Sequence, residues 1–389
     1  MTKTGIVLAV TDDATTGFYR GYLRLLKDRG YRVTIASDGR KTLHQFAAEQ
    51  GVDAKAIPME RNPSVLKDCV SLVRWIAYLK TIRPEAVIAA TPKASLLAVT
   101  AAWLTRRPVR MYQVWGLRLE TEKGPRRRVL RALERLTVRL ATHVVCNSPS
   151  LAESMKTNGL MGKKVPIVLG KGSSHGIDLD RFKRGITTSE VPAKTQQFLE
   201  KRPAAMVFGF IGRINQDKGV GTLLAAMEVL EREKLPGVCI LVGPIEDPLL
   251  GEQLASLALP SNIHYAGATA DPRPFLECFD VLCLPSRREG FPNAVLEAAA
   301  MGVPAIVTDS TGTVDSVVDG KTGRVVRTDD TEDLAGAMVE AIQNPGRWSR
   351  FGAQARSWVE KHFSRVEIWN LQERLISDAI ASSSDCNVQ

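Results

Sequence analysis

Four charged side chains in the second half of the chain are spaced to do chemistry. Arg213 and Lys218 bracket the loop Gly212-Arg213-Ile214-Asn215-Gln216-Asp217-Lys218-Gly219, which follows an apolar run and opens a helix-like segment. Further on, Glu289 and Glu297 stand on either side of Gly290-Phe291-Pro292-Asn293-Ala294, where a second loop opens a helix near Ala294. A strand, a loop and a helix N-terminus form an anion site in an α/β protein, because backbone N–H groups and the positive end of the helix dipole point the same way. Two cations suit a diphosphate. A carboxylate is a poor phosphate ligand but a good acceptor for sugar hydroxyls. The set therefore fits a phosphate flanked by two sugars, the shape of a sugar nucleotide. Two surface cations would be the plainer account of Arg213 and Lys218; the glycines at both ends of the loop weigh against it.

The elements that must hold these groups read as alternating strands and helices. Strands fit Ile6–Val10, Arg32–Ala36, Ala54–Pro58, Ala86–Ala90, Val109–Gln113 and His143–Asn147 in the first half. In the second half they fit Met206–Ile211, Val238–Val242, Ile263–Tyr265, Val281–Leu284, Ala305–Val307 and Arg324–Val326. Such alternation implies α/β domains with doubly wound parallel sheets, whose ligands sit at the carboxyl ends of the strands. Three first-half loops fall at those ends: Thr11–Gly17, Thr91-Pro92-Lys93 and Trp115-Gly116-Leu117-Arg118. Lys93 reads equally well as a cation in a cleft or as a solvated lysine at a helix start. G-x-G-x-x-G is absent after every strand, which argues against a nicotinamide or flavin enzyme.

A length of 389 residues favours two domains. Gly/Ser-rich Gly170–Asp178 reads as their linker, giving domains 1–180 and 181–365 and a terminal segment 366–389. A first helix is expected over Phe18–Arg29 and amphipathic helix over Trp348–Ile380, with Ser382–Gln389 a disordered tail. Asp178-Leu179-Asp180 has the form of a metal-binding triplet, but no strand precedes it, and chance explains it. The six cysteines show no CxxC pair and read as reduced thiols, several of them buried. No apolar run reaches the ~18 residues of a membrane span, so the cytoplasm is the default compartment.

The net charge of +10 is concentrated. Trp103–Arg139 holds ten arginines and Lys123 against three glutamates. Within it, Arg126–Leu140 is a helix by periodicity. Val129, Leu133, Leu136 and Leu140 share one face; Arg128, Arg131, Arg135 and Arg139 share the adjoining one. A helix packed on the sheet with a solvated basic side and a helix attached to anionic lipid both fit. Nucleic acid fits less well, since aromatic residues make up only 6% of the chain and offer few stacking platforms.

With Gly212-Arg213-x4-Lys218-Gly219 followed by Glu289-Gly290-Phe291-Pro292-x4-Glu297, the chain resembles glycosyltransferase family 4. Asp280, Pro285-Ser286, Gly302-Val303-Pro304, Asp319-Gly320-x2-Gly323 and His175-Gly176-Ile177-Asp178-x3-Phe182 support the likeness. The resemblance implies the GT-B architecture, two Rossmann-like domains facing a cleft, with the terminal helix crossing back to the first domain. It implies a retaining hexosyltransferase in which Arg213 and Lys218 neutralise the departing diphosphate. Glu289 would hold the transferred sugar, Glu297 the ribose, and Gly290, Phe291, Pro292, Asn293 and Ala294 would offer backbone to sugar and phosphate oxygens, with Gly212 beside them. No metal or other cofactor is implied. Loops Gly243–Asp247 and Gly267–Asp271 are expected to meet the base.

Thr91-Pro92-Lys93-Ala94-x-Leu96-Leu97 and Gly116-Leu117-Arg118-x-Glu120-x3-Gly124 are similar to bacterial capsule, exopolysaccharide and glycoprotein-glycan transferases. This implies a UDP-linked hexose or N-acetylhexosamine donor and a glycan or polyprenyl-diphosphate-linked acceptor. Thr16, Gly17, Lys93, Trp115 and Arg118 are the acceptor-side residues. It also places the chain at the inner face of the cytoplasmic membrane, through Arg126–Arg139. The chain departs from its relatives in carrying Thr15-Thr16-Gly17 for a glycine pair and Trp115-Gly116 for a histidine-glycine pair, so no general base is assigned. A sugar-nucleotide epimerase on the same scaffold is the other enzyme reading, and a basic nucleic-acid-binding protein the reading outside enzymes.

Overall fold

The computed structural model describes residues 4–39, 42–60, 64–187, 189–255 and 260–385. The chain forms two compact units, Met1–His175 with Val366–Gln389, and Gly176–Arg365.

In the first unit the strands are β1 (Gly5–Ala9), β2 (Arg32–Ser37), β3 (Asp53–Ala56), β4 (Ala86–Ala90), β5 (Val109–Val114), β6 (His143–Cys146) and β7 (Ile167–Val168). They form one parallel sheet in the order β3-β2-β1-β4-β5-β6-β7. The helices between them are α1 (Tyr22–Asp28), α2 (Leu43–Gln50), α3 (Val65–Ile82), α4 (Pro92–Leu104), α5 (Gly124–Leu140) and α6 (Pro149–Thr157). Helices α3, α4 and α5 pack side by side over one face of the sheet, around Trp75, Leu79, Tyr112 and Val138. The opposite face is covered by α1, α2 and the chain's last helix.

The second unit repeats the plan with β8 (Met206–Ile211), β9 (Gly237–Val242), β10 (Ile263–Gly267), β11 (Val281–Leu284), β12 (Ala305–Thr308) and β13 (Gly323–Val326). Their order is β10-β9-β8-β11-β12-β13, again all parallel. Its helices are α7 (Ala193–Glu200), α8 (Val220–Arg232), α9 (Pro248–Ala255), α10 (Arg273–Cys278), α11 (Asn293–Ala300), α12 (Thr331–Gln343) and α13 (Pro345–His362). The last helix, α14 (Arg365–Asp385), belongs from Val366 onward to the first unit. There Trp369 and Ile376 pack beside Tyr22.

All twelve strands read from the sequence are present, and β7 is an addition. It is two residues long and carries no periodic signal. Three helix expectations change. Instead of one helix over Phe18–Arg29 there is a 3-10 turn (Asp13–Tyr19), a break at Gly21 with φ +83°, and then α1. The break is forced by packing: a Cβ at Gly21 would lie 2.6 Å from the Trp369 ring. The tail is two helices, not one, because the chain breaks at Phe363, whose carbonyl accepts from the Ile177 N–H at 2.8 Å. Helix α14 continues through Ser382 to Asp385, where a disordered tail was expected; residues 386–389, Cys386 among them, lie outside the described part. The five described cysteines are free thiols, with Cys146, Cys239 and Cys283 buried and Cys69 exposed.

Helix α5 turns a different side inward from the one its leucines suggested. Glu134, Thr137 and Val138 face the sheet, together with Leu140 at the helix end. Val129 is 58% exposed, and Leu133 and Leu136 are exposed as well. The reason is a buried polar bond: the Tyr112 hydroxyl on β5 donates to Glu134 Oε2 at 2.7 Å, which fixes the rotation of the helix.

Candidate functional site

In each sheet the strand order reverses between two neighbouring strands, and the connections leaving those strands diverge to opposite faces. This leaves a crevice at their carboxyl ends. In the second unit the switch lies between β8 and β11. The loops leaving β8 and β11 carry Lys218 and Glu289.

These two loops are built to touch. Asn215 caps the short turn Gln216–Lys218, accepting the Lys218 N–H on Oδ1 at 3.1 Å. Gly219 follows with φ +66°, and a Cβ there would lie 1.9 Å from the Pro285 carbonyl oxygen, so only glycine lets the loops meet. Lys218 then forms an ion pair with Glu289, both side chains largely shielded at 17% and 13% exposure. Ser286 Oγ donates to the same Glu289 oxygen at 2.9 Å. The Glu289 N–H donates to the Thr311 carbonyl at 2.8 Å. Alongside, Arg288 pairs with Asp217, and the Arg287 N–H donates to the Asp217 carbonyl at 2.8 Å.

Gly290 and Phe291 lead from Glu289 into α11. Phe291 is buried against Phe363 with ring centroids 5.3 Å apart, so its side chain anchors the loop. Pro292 is the N-cap and has no N–H of its own, which removes it as a backbone donor. No side chain caps α11, so the amides of Asn293 and Ala294 at its start carry no capping bond. Asn293 Oδ1 is buried with no hydrogen-bond partner in the protein. A ligand hydroxyl at that point would satisfy it.

Glu297 lies one turn further along. Burial pushes its carboxyl up to about 7, against the downward pull of Arg181 and Arg365, while Asp271 adds to the rise. Arg365 in turn pairs with Asp178 at 2.9 Å and Arg181 with Asp271 at 3.8 Å. Asp178, half of the chance metal-binding triplet, is thus a partner of arginine. It also accepts the Arg181 N–H at 3.0 Å.

The structure thus brings Lys218 and Glu289 together. Arg213 is drawn aside: its guanidinium pairs with Glu246 at 2.9 Å, and Asn215 Nδ2 donates to the same carboxylate oxygen at 3.0 Å. Gly212 ends the strand next to it, its N–H bonded to Val242. Sequence reasoning missed Arg181, Arg288 and Arg365, and it took Glu246 only as part of the loop Gly243–Asp247 expected at the base, not as the partner of Arg213. Arg181 lies inside the His175-to-Phe182 motif and was available to it; Arg365 has no local signal.

The residues expected on the acceptor side lie in the first unit. Thr16 is buried, its hydroxyl donating to the Asp13 carbonyl at 2.7 Å, and Gly17 is exposed beside it. Trp115 packs edge-on against Phe18 at 5.3 Å, and Phe18 stacks on His175 at 5.0 Å. Arg118 is exposed at the start of a short 3-10 turn. Lys93 follows neither of its two readings in simple form, because it is mostly buried and paired with Asp68 of α3 at 2.8 Å.

Two parallel-sheet Rossmann-like units, with a cation–carboxylate pair at the switch point of the second, define a glycosyltransferase of GT-B fold. Residues 205–344 match the family model for glycosyl transferases group 1, and residues 18–169 match a glycosyl transferase 4-like domain. The chain is 31% identical to the capsular polysaccharide biosynthesis glycosyltransferase CapM of Staphylococcus aureus, over 96% of this chain and 97% of that one. The chain belongs to this glycosyltransferase family. It is also 27% identical to the N,N'-diacetylbacillosaminyl-diphospho-undecaprenol alpha-1,3-N-acetylgalactosaminyltransferase of Campylobacter jejuni, over 81% and 77% of the two chains. Among solved structures, HepE of Anabaena in complex with UDP superposes with a TM-score of 0.74 at 18% identity, covering 96% of this chain and all of that one.

Proposed function

We propose that the chain transfers a hexose or N-acetylhexosamine, with retention of configuration and without a metal ion, from a UDP-linked donor. The acceptor we assign is a glycan or a sugar carried on polyprenyl diphosphate, met at the inner face of the cytoplasmic membrane. The observation that carries this reading is the shielded Lys218–Glu289 pair beside the uncapped start of α11.

Breaking the bond from sugar to diphosphate builds negative charge on the leaving group. A cation and helix-end amides already in place stabilise that charge most where water is excluded. Lys218 supplies the cation, the amides of Asn293 and Ala294 the dipole end, and Glu289 a hydroxyl acceptor for the sugar being moved. Glu297 accepts from the ribose. Arg213 can swing from Glu246 to the diphosphate, since both partners of that pair are solvent-exposed. With charge neutralised by side chains, no divalent ion is required, and the leaving phosphate itself can take the acceptor's proton. The relatives support the acceptor class: one is named for capsular polysaccharide and another for a diphospho-undecaprenol-linked sugar.

Incubating the protein with UDP-hexoses and UDP-N-acetylhexosamines, a polyprenyl-diphosphate sugar and excess chelator tests the reading. Donor-dependent product with the anomeric configuration of the donor is expected. An inverted product, or transfer abolished by chelator and restored by a divalent ion, would overturn the mechanism.

A further inference from the structure

Helix α3 presents an apolar stripe to solvent. Val65 and Leu66 are 81% and 82% exposed, and Cys69, Val70 and Val73 continue the same side of the helix. This side lies opposite Ser71, Trp75 and Leu79, which face the sheet. Arg74 and Lys80 are exposed along the stripe. Two helices away, α5 exposes the row Val129, Leu133 and Leu136. Its other flank is held by the turn that ends α6: Arg131 Nε donates to the Asn158 carbonyl at 2.9 Å and Arg135 Nε to the Gly159 carbonyl at 2.8 Å. The apolar row of α5 therefore takes the flank toward α4, on whose far side α3 packs.

Large apolar side chains exposed on two helices of the same layer mark a surface that meets something. Charge decides what. Helices α3, α4 and α5 carry ten lysines and arginines and only two acids. Both acids are occupied, Asp68 by Lys93 and Glu134 by the Tyr112 hydroxyl. Two copies of such a surface repel each other. A bilayer with anionic head groups attracts it, accepts the apolar residues below the head groups and leaves the arginines among them.

We propose that the α3 stripe and the α5 row insert together into an anionic lipid surface, with α3 supplying the apolar insertion and α5 the charge. This rests on the proposal above that the chain works at a membrane, and extends it to the part that enters the lipid. The helices α3, α4 and α5 all begin at the carboxyl edge of the first sheet, so insertion near their starts brings Trp115 and Arg118 toward the lipid surface.

The test uses the full chain with vesicles of phosphatidylcholine alone and mixed with phosphatidylglycerol. Co-sedimentation with the mixed vesicles only is expected. Leu66→Asp with Val70→Asp should weaken that partitioning at least ~tenfold, and Arg128→Ala with Arg139→Ala by ~tenfold. Both pairs are exposed, and an unchanged melting temperature confirms folding. A polarity-sensitive dye on Cys69, in a Cys386→Ser background, should shift to the blue with mixed vesicles. Undiminished partitioning of the α3 double variant, or a dye unmoved by vesicles that bind, would overturn the insertion. So would a stable dimer in sedimentation that the same α3 variant dissolves. Transfer to a water-soluble acceptor is measured in parallel: its absence in the unaltered protein counts against the assigned reaction, not against the lipid contact.

Discussion

Asp217 and Arg288 form an ion pair immediately before Lys218 and Glu289, so the two loops of the candidate site are joined by adjacent pairs of opposite polarity. The first pair keeps a negative charge next to the lysine and a positive one next to the glutamate. Arg288→Ala and Asp217→Ala should each lower kcat/KM for the donor about tenfold, and the double variant little more than either alone, because interacting neighbours are not additive. Exchanging the two charges, Asp217→Arg with Arg288→Asp, should recover part of the loss. Independent, additive losses with no recovery would show that the pair does not hold the loops.

Lys218→Ala should cost more. A preorganised charge at a leaving group contributes on the order of 10²–10³ in kcat, and a neighbouring loop amide cannot replace an ammonium. Glu289 keeps its bond from Ser286, so the fold should survive with little change in melting temperature. Single-turnover kinetics with saturating donor would check this, and a loss confined to KM would move Lys218 from leaving-group stabilisation to simple binding.

The strands and both loops of the candidate site were legible because their signals are local: apolar runs of strand length, glycines at the turns, a proline at a helix start. What was not legible depends on distant partners. Gly21 breaks the chain ahead of α1 where Trp369 occupies the space of a Cβ. The rotation of α5 follows from Tyr112 on another element, since its sequence offers a leucine face and gives no hint that Glu134 goes inward. Arg213 looked like a phosphate ligand by position, and the carboxylate that holds it, Glu246, comes from a loop after the next strand. Glu297 was named from its spacing, yet the arginines that work against its burial, Arg181 and Arg365, come from opposite sequence ends of the second unit.

Glu297 should make donor binding pH-dependent. Burial raises its pKa to about 7, so the ionised carboxylate grows from a minor to the major form as pH rises through neutrality. The ionised form accepts hydroxyl hydrogen bonds more strongly. UDP affinity by calorimetry should therefore improve from pH 6 to pH 8, by a few-fold. Glu297→Gln should flatten that dependence and bind at an intermediate level throughout. A dependence that persists in the variant would assign the titration to another group.

Glu134 carries the corresponding prediction for stability. It is buried beneath α5, and loss of hydration pushes its pKa up to about 7, against the lowering effect of the Tyr112 hydroxyl. A folded-state pKa above the unfolded value means the native protein holds a proton that the unfolded chain has released. Between roughly pH 4.5 and 7 the native state therefore binds more protons, and stability falls as pH rises through that window and levels off above it. The full effect is on the order of 3 kcal/mol. Glu134→Gln keeps an acceptor for Tyr112 and removes the charge, so it should match the unaltered protein near pH 5 and exceed its stability at pH 8. Urea unfolding at the two pH values measures both. Equal stability of the two proteins at pH 8 would mean that the carboxylate is charged at little cost, through water or a cation reaching it from the arginine-rich side of the helix.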